Sequence, residues 1–338
     1  MTDISAINNE ECQLRNRSST VKHSSGLKEA KAFLNDHLIA SETLAERLLI
    51  SLLADGHILI EGAPGLAKTR SAKLLAHKLG LSFSRVQCTP DLMPADVTGT
   101  SAWRPDRGQF EFLPGPIFHS LLLVDEINRA PPKVQSALLE AMAEKQVTVA
   151  GETRQLPNIF MTIATQNPIE QEGTYPLPEA QLDRFMMHIN ITLPDREAER
   201  KILDLIENND LPELNKRTDV ITIEELNIAR TGVKNVFLSP AVKDYIIRLV
   251  TAPRDPNFAP DLSKHILYPS SPRGTLALAS ASKARAYLNN RDYVLPEDVT
   301  ALASDVLAHR TILSWRALSD GKTPREVIGA FLDRVYPS

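Results

Sequence analysis

Apolar and polar positions alternate along this chain with a period that changes several times. Residues 1 to about 25 carry Asn, Ser and charges with almost no apolar pattern, and read as a disordered tail. Helical spacing begins near Leu27 and runs through residues 45–54. The run His57-Ile-Leu-Ile-Glu61 then ends in Gly-Ala-Pro-Gly, which predicts a strand followed by a turn. Residues 68–78 read as a helix and residues 83–88 as a strand. Residues 121–124, Leu-Leu-Leu-Val, are apolar without alternation, as expected of a central parallel strand buried on both faces. An amphipathic helix over 134–145 and an apolar strand over 159–164 follow, and Gln146 to Gln155 reads as a β-hairpin with Gly151 near its turn. Strands alternating with helices predict an α/β fold, a parallel sheet flanked by helices.

Beyond about Pro194 the pattern turns helical, over 242–251, 275–288, 296–309 and 324–335. Pro296-Glu-Asp-Val299 places proline and two acids in a first turn, which suits a helix N-terminus. The expected division is a tail over 1–25, an α/β core over 26–194 and a mostly helical domain over 195–338.

Composition narrows the function classes. The 338 residues carry a formal net charge of −4, which weighs against a uniformly basic nucleic-acid binder. Cys12 and Cys88 are the two cysteines, and neither has metal-ligand spacing, so a disulfide framework or zinc site is not expected. Asp3, Glu10 and Glu11 interrupt the N-terminus, and the apolar runs at 48–54 and 121–124 are too short to span a bilayer. These features lead to the expectation of a soluble, cytoplasmic protein without membrane insertion.

Three strings carry candidate chemistry. Gly62-Ala-Pro-Gly-Leu-Ala-Lys-Thr69 sits between an apolar strand and a helix, the setting a phosphate-binding loop requires. Its glycines let backbone N–H groups turn inward, and the helix that follows aims its positive end at the same anion. Lys68 would reach the β and γ phosphates of ATP and Thr69 would ligate Mg²⁺. Ala67 stands where the generic pattern has glycine, so a simple Gly/Pro turn before a helix is the bland alternative. Asp125 and Glu126 end the run at 121–124. Asp125 is placed to hold Mg²⁺ through water beside Thr69, and Glu126 to act as general base. Thr162-Ile-Ala-Thr-Gln-Asn167 ends in an amide suited to the γ-phosphate or the attacking water, or simply to an Asn-Pro turn. Arg184 and Arg273 offer guanidinium forks. As isolated residues both would more often form surface ion pairs.

Longer strings point to a family. The P-loop string above, Cys88-Thr-Pro-Asp-Leu-Met-Pro-Ala-Asp-Val-Thr-Gly99, Val124-Asp-Glu-Ile-Asn-Arg-Ala-Pro-Pro132 and the stretch from Ala164 to Phe185 together resemble the MoxR family of AAA+ ATPases, in the helix-2-insert clade. The resemblance runs from about Leu38 to the C-terminus. It implies an AAA+ core followed by an all-helical lid. Within the core it places a helix-2 insert at about 99–116 and a hairpin before sensor 1 at about 146–156. Gly62, Ala63, Pro64, Gly65, Leu66, Ala67, Lys68 and Thr69 would form the Walker A loop, Asp125 and Glu126 Walker B, and Asn167 sensor 1. Arg184 looks like an arginine finger acting in a neighbour's site, and Arg273 like sensor 2. The family pattern tolerates Ala67.

The same resemblance implies a ring, six subunits by family expectation, with ATP and Mg²⁺ as cofactors. It further implies a chaperone-like role on an unidentified client, often with a separate von Willebrand factor A domain partner. A metal-chelatase-like motor subunit, a nucleic-acid motor of the MCM type and a non-hydrolysing scaffold are the other readings. The acidic charge weighs against the second of these, and an intact Glu126 against the third.

Overall fold

The structure, a computed structural model, describes residues 25–38, 42–63, 66, 68–168, 173–207 and 221–337. The tail expected over 1–25 lies, except for Ser25, outside the described residues. The described residues between 29 and 223 form one compact unit, and those from 224 onward form a second that also takes in residues 25–28.

The first part of the chain runs through α1 (Ser25–His37), α2 (Glu42–Leu53), β1 (Ile58–Gly62), α3 (Lys68–Lys78), β2 (Phe83–Gln87), α4 (Pro94–Thr98), β3 (Gly99–Arg104) and β4 (Gln109–Pro114). It continues with β5 (Leu121–Asp125), α5 (Pro132–Glu144), β6 (Gln146–Val149), β7 (Glu152–Gln155), β8 (Met161–Gln166), α6 (Glu179–Leu182), β9 (Met187–Ile191) and α7 (Arg196–Glu207). Five strands form a sheet in the order β2-β5-β8-β1-β9. All four pairings are parallel.

The expected apolar runs fall where burial requires them. Every residue of β5 is buried, and β8 is buried through Thr165. β9 is an edge strand that the apolar pattern did not single out. It buries Met187, Ile189 and Ile191 and leaves the residues between them partly open. On one side of the sheet, Leu122, Val124 and Ala164 pack with Val134, Leu138 and Leu139 of α5 and with Phe160 and Phe185.

Two hairpins interrupt this alternation. β3 and β4 pair antiparallel from Gly99↔Pro114 to Arg104↔Gln109. Glycine is required at the root of this hairpin. A Cβ on Gly99, whose φ is +90°, would lie 2.3 Å from the Leu113 carbonyl oxygen, and one on Gly115 would lie 2.3 Å from that of Val97. β6 and β7 form the expected hairpin, turning on Ala150 (φ 54°) and Gly151 (φ 83°). Left-handed conformation at both central residues matches the twist of the flanking strands.

The second unit holds α8 (Ile223–Asn235), α9 (Pro240–Thr251), α10 (Pro260–Ser263), β10 (Ile266–Tyr268), α11 (Pro272–Leu288), α12 (Pro296–Leu307), β11 (Ile312–Leu313), α13 (Trp315–Ser319) and α14 (Pro324–Leu332). Its helical character is as expected, with a short antiparallel ribbon of β10 and β11 added. α9 to α12 and α14 each begin on proline, at a position where the missing N–H costs no hydrogen bond. The acid pair read at 297–298 has a structural use. Fully buried Asp298 accepts from Leu295 N–H at 2.9 Å, from Arg285 at 2.9 Å and from Arg291 at 2.7 Å.

Candidate active site

β5, β8 and β1 are adjacent in the sheet, so the loops after Asp125, Gln166 and Gly62 leave the same edge although they are distant in sequence. The carboxyl edge of such a sheet is where α/β proteins bind ligands. Gly62 itself sits in tight register with Ile191 of β9. A Cβ there would approach the Ile191 carbonyl oxygen to 2.8 Å. Ala63 is partly exposed and Leu66 buried, while Pro64, Gly65 and Ala67 lie outside the described residues.

Lys68 is the first residue of α3 and is buried. A buried ammonium needs acceptors. Its Nζ donates to the Gly62 carbonyl at 2.6 Å and to the Gln166 carbonyl at 3.2 Å, so one positive charge stands where β1 and β8 end. Thr69 follows, and its hydroxyl donates to Asp125 Oδ2 at 3.1 Å.

Asp125 is the centre of a dense cluster. Its Oδ1 accepts from the Thr165 hydroxyl at 2.6 Å. Its Oδ2 also accepts from Arg85 on β2, through Nη2 at 2.7 Å and Nε at 3.1 Å. Burial pushes the Asp125 carboxyl up. The hydrogen bonds from Thr165, Arg85 and Thr69, with the Arg85 charge, outweigh it and hold the carboxyl below the usual range. Glu126 comes next in a left-handed conformation (φ 56°, ψ 53°). Its N–H donates to the same Thr165 hydroxyl at 2.9 Å. Its Oε2 accepts from Gln87 at 3.0 Å and from Arg129 at 3.2 Å. Behind them lies Cys88. Burial, then the negative charges of Asp125 and Glu126, push its thiol up to about 12, so it stays protonated and inert.

The structure thus brings Lys68, Thr69, Asp125 and Glu126 together, with buried Asn167 one residue beyond β8. Arg184 is held elsewhere in the same unit. Its Nη1 donates to the Leu139 carbonyl of α5 at 2.9 Å. Arg273 is exposed in the first turn of α11, in the second unit. Four residues of the cluster have no role in the motif reading: Arg85 and Gln87, which lie outside the quoted strings, and Thr165 and Arg129, which lie within them. The alternation of Arg85 and Gln87 on one face of β2 was the available hint.

The donor set suits a hard divalent cation. A hydroxyl and an ionised carboxylate 3.1 Å apart offer two oxygens, and no thiolate or imidazole competes for the ion among the cluster's described contacts. Magnesium is commonly held by one or two protein oxygens, with water and phosphate completing its shell. The buried ammonium of Lys68 beside it supplies a fixed charge for phosphate.

Comparison with known proteins bears on the family. Residues 57–187 match the family described as "ATPase family associated with various cellular activities (AAA)", and residues 263–330 match an AAA lid domain. Chaperone MoxR1 of Mycobacterium tuberculosis is 41% identical over 302 residues, 88% of this chain and 78% of that protein. Protein MoxR of Methylorubrum extorquens is 32% identical over 291 residues, 81% of this chain and 84% of that one. The chloroplastic magnesium-chelatase subunit ChlI-1 of Arabidopsis thaliana is 27% identical over 240 residues, covering 69% of this chain and 51% of its own. A crystal structure of a candidate ATPase from Cytophaga hutchinsonii matches with a TM-score of 0.85 at 41% identity, over 99% of both chains.

Proposed function

This chain belongs to the MoxR family of AAA+ ATPases, and we propose that it hydrolyses ATP to ADP and phosphate in order to remodel or activate a partner protein complex. One observation carries the catalytic part. Lys68, Thr69, Asp125 and Glu126, from two motifs far apart in sequence, converge at one sheet edge beside Asn167.

In this reading the 62–67 loop and Lys68 bind the phosphates. Thr69, with Asp125 through water, would hold Mg²⁺, which when bound would neutralise phosphate charge. Glu126 accepts a proton from the water whose oxygen bonds to the γ-phosphorus as the bond to the bridging oxygen breaks. Asn167 orients that water. Arg184, bonded in its own chain to α5, supplies its guanidinium to the next subunit's site. A finger supplied head to tail requires a heterologous interface that closes into a ring, with six subunits expected. Arg273 acts as sensor 2.

The two hairpins would be the working surface, with the segment from about 99 to 116 as the family's insert. Trp103 and Phe110 pair across β3 and β4, ring centroids 5.2 Å apart, and are 53% and 69% exposed. Exposed aromatic pairs of this kind favour contact with another protein. The client, and a separate von Willebrand factor A domain partner, are family-based parts of the proposal. Likeness to the chelatase subunit supports a shared motor, but it is lower and spans half of that protein. Among the described residues, no helix is long and apolar enough to cross a membrane.

The test is ATPase activity per chain against protein concentration, with Mg²⁺ and saturating ATP, for wild type and Arg184→Ala. Activity that rises with concentration and is lost in the variant supports the ring. A flat profile with an unaffected variant removes the trans-acting Arg184.

A further inference from the structure

The second unit contains a cavity of about 550 Å³ that the ATPase reading leaves unused. Lys234, Lys243 and Lys283 line it, together with Asn235, Phe237 and Leu238, and among the described residues no acidic one lines it. The three lysines come from three elements, namely the end of α8, the first turn of α9 and the middle of α11. Their convergence is therefore a property of the tertiary fold rather than of one charged helix face.

The wall is fixed. Phe237 N–H donates to the Asp292 carbonyl at 2.7 Å, and Val294 N–H donates to the Phe237 carbonyl at 3.0 Å. Lys283 is half-buried, and its Nζ donates to the Lys234 carbonyl at 3.0 Å, which anchors the ammonium at the cavity wall. Burial, then the like charge of Lys243, push its pKa down. Gathered cations without a lining carboxylate raise the local potential, and an anion relieves it.

The volume lies within the range of small-molecule sites. The Lys283 ammonium, close enough to Lys243 to feel its charge, suits the oxygens of phosphate, for which lysine serves as a point charge. Phe237 and Leu238 give the same cavity an apolar side. We propose that the cavity between α8, α9 and α11 binds a small molecule bearing several phosphate charges, at a site separate from the P-loop.

Lysine acylation on the whole chain at pH 8, read by mass spectrometry, tests this residue by residue. Lys68 and Lys283 report the two sites separately, so failure here is distinct from failure of the ATPase reading. Inorganic tripolyphosphate is the first probe and AMP the second. Tripolyphosphate should slow acylation of Lys283 under conditions where KCl of equal ionic strength does not. In Lys243→Glu the probe concentration for half-protection should rise about ten-fold or more, the scale of one charge-assisted hydrogen bond. Glu in a first helical turn is compatible with the fold. Protection by AMP as well would show that the site takes a phosphate ester, with Phe237 and Leu238 against its organic part. Protection by tripolyphosphate alone would show a site for phosphate itself. The proposal is overturned if neither probe protects, if KCl protects equally, or if Lys243→Glu leaves protection unchanged. Protection by an acidic peptide where both phosphates fail also overturns it, in favour of a protein partner.

Discussion

At the scale of single residues, Asp125 Oδ2 is shared by a hydroxyl and a guanidinium, Thr69 and Arg85. A divalent cation beside Thr69 would meet the Arg85 charge at that oxygen, and two cations at one carboxylate oxygen compete. Arg85→Gln should therefore lower, by a few-fold, the Mg²⁺ concentration needed for half-maximal binding of a fluorescent ADP analogue. The same change has an acid signature. Asp125 is held below its usual range, so the folded state binds fewer protons than the unfolded chain. That contribution is present above the unfolded value of about 3.9 and is lost as pH falls through the folded one. Removing Arg85 raises the folded pKa, so acid unfolding followed by far-ultraviolet circular dichroism should begin at higher pH than in wild type. Thr165 offers a second test. Its hydroxyl donates to Asp125 and accepts from Glu126 N–H, so Thr165→Val breaks two bonds in a buried setting. A loss of about 2–4 kcal/mol in urea unfolding is expected. ATPase activity should fall as well, because Glu126 loses what fixes its left-handed backbone.

At the scale of elements, the two hairpins are tied to each other. Arg154 of β7 lies over the ring of Phe112 in β4, 4.1 Å from its centroid, and Phe112 meets Phe118 edge to face at 5.5 Å. A cation–π contact of this kind contributes about 0.5–1 kcal/mol at an exposed site. Phe112→Leu should speed amide exchange in β6 and β7 while leaving the central sheet protected. A result confined to β3 and β4 would mean that the hairpins move independently. Such coupling shows where sequence reading stops. The helix at 68–78 is legible from its local periodicity and the strand at 121–124 from its unbroken apolar run. The hairpin at 146–155 is legible because Gly151 marks its turn. β9 is harder to see, because an edge strand with His188 and Asn190 between its apolar residues presents no long apolar run. Lys68, Thr69, Asp125 and Glu126 announce themselves by spacing along the chain. Arg85 and Thr165 do not, since their nearness to Asp125 depends on β2, β5 and β8 being neighbours, a fact of strand order. The Arg154–Phe112 contact is likewise set only when both hairpins are folded.

At the scale of the whole molecule, the question is whether one chain contains a complete active site. Within its own unit Arg184 is bonded to α5, while the phosphate-side cluster is built from β1, α3, β5 and β8. If the finger acts in the neighbour, then Glu126→Gln and Arg184→Ala each disable every interface of a uniform ring, for different reasons. Glu126→Gln removes the base from the site, and Arg184→Ala removes the finger reaching the site next door. Mixed rings escape both defects. An interface formed by the intact Glu126 of one variant and the intact Arg184 of the other is complete. At equal proportions with random assembly this is about a quarter of all interfaces, since a heterologous contact joins one face of each subunit. Mixing two inactive preparations should therefore restore up to about a quarter of wild-type activity, provided that subunits exchange and interfaces act independently. If Arg184 served its own chain, each defect would stay within its own subunit and no mixing ratio would restore turnover. Subunit exchange, followed by energy transfer between labelled chains, separates that outcome from rings that fail to mix.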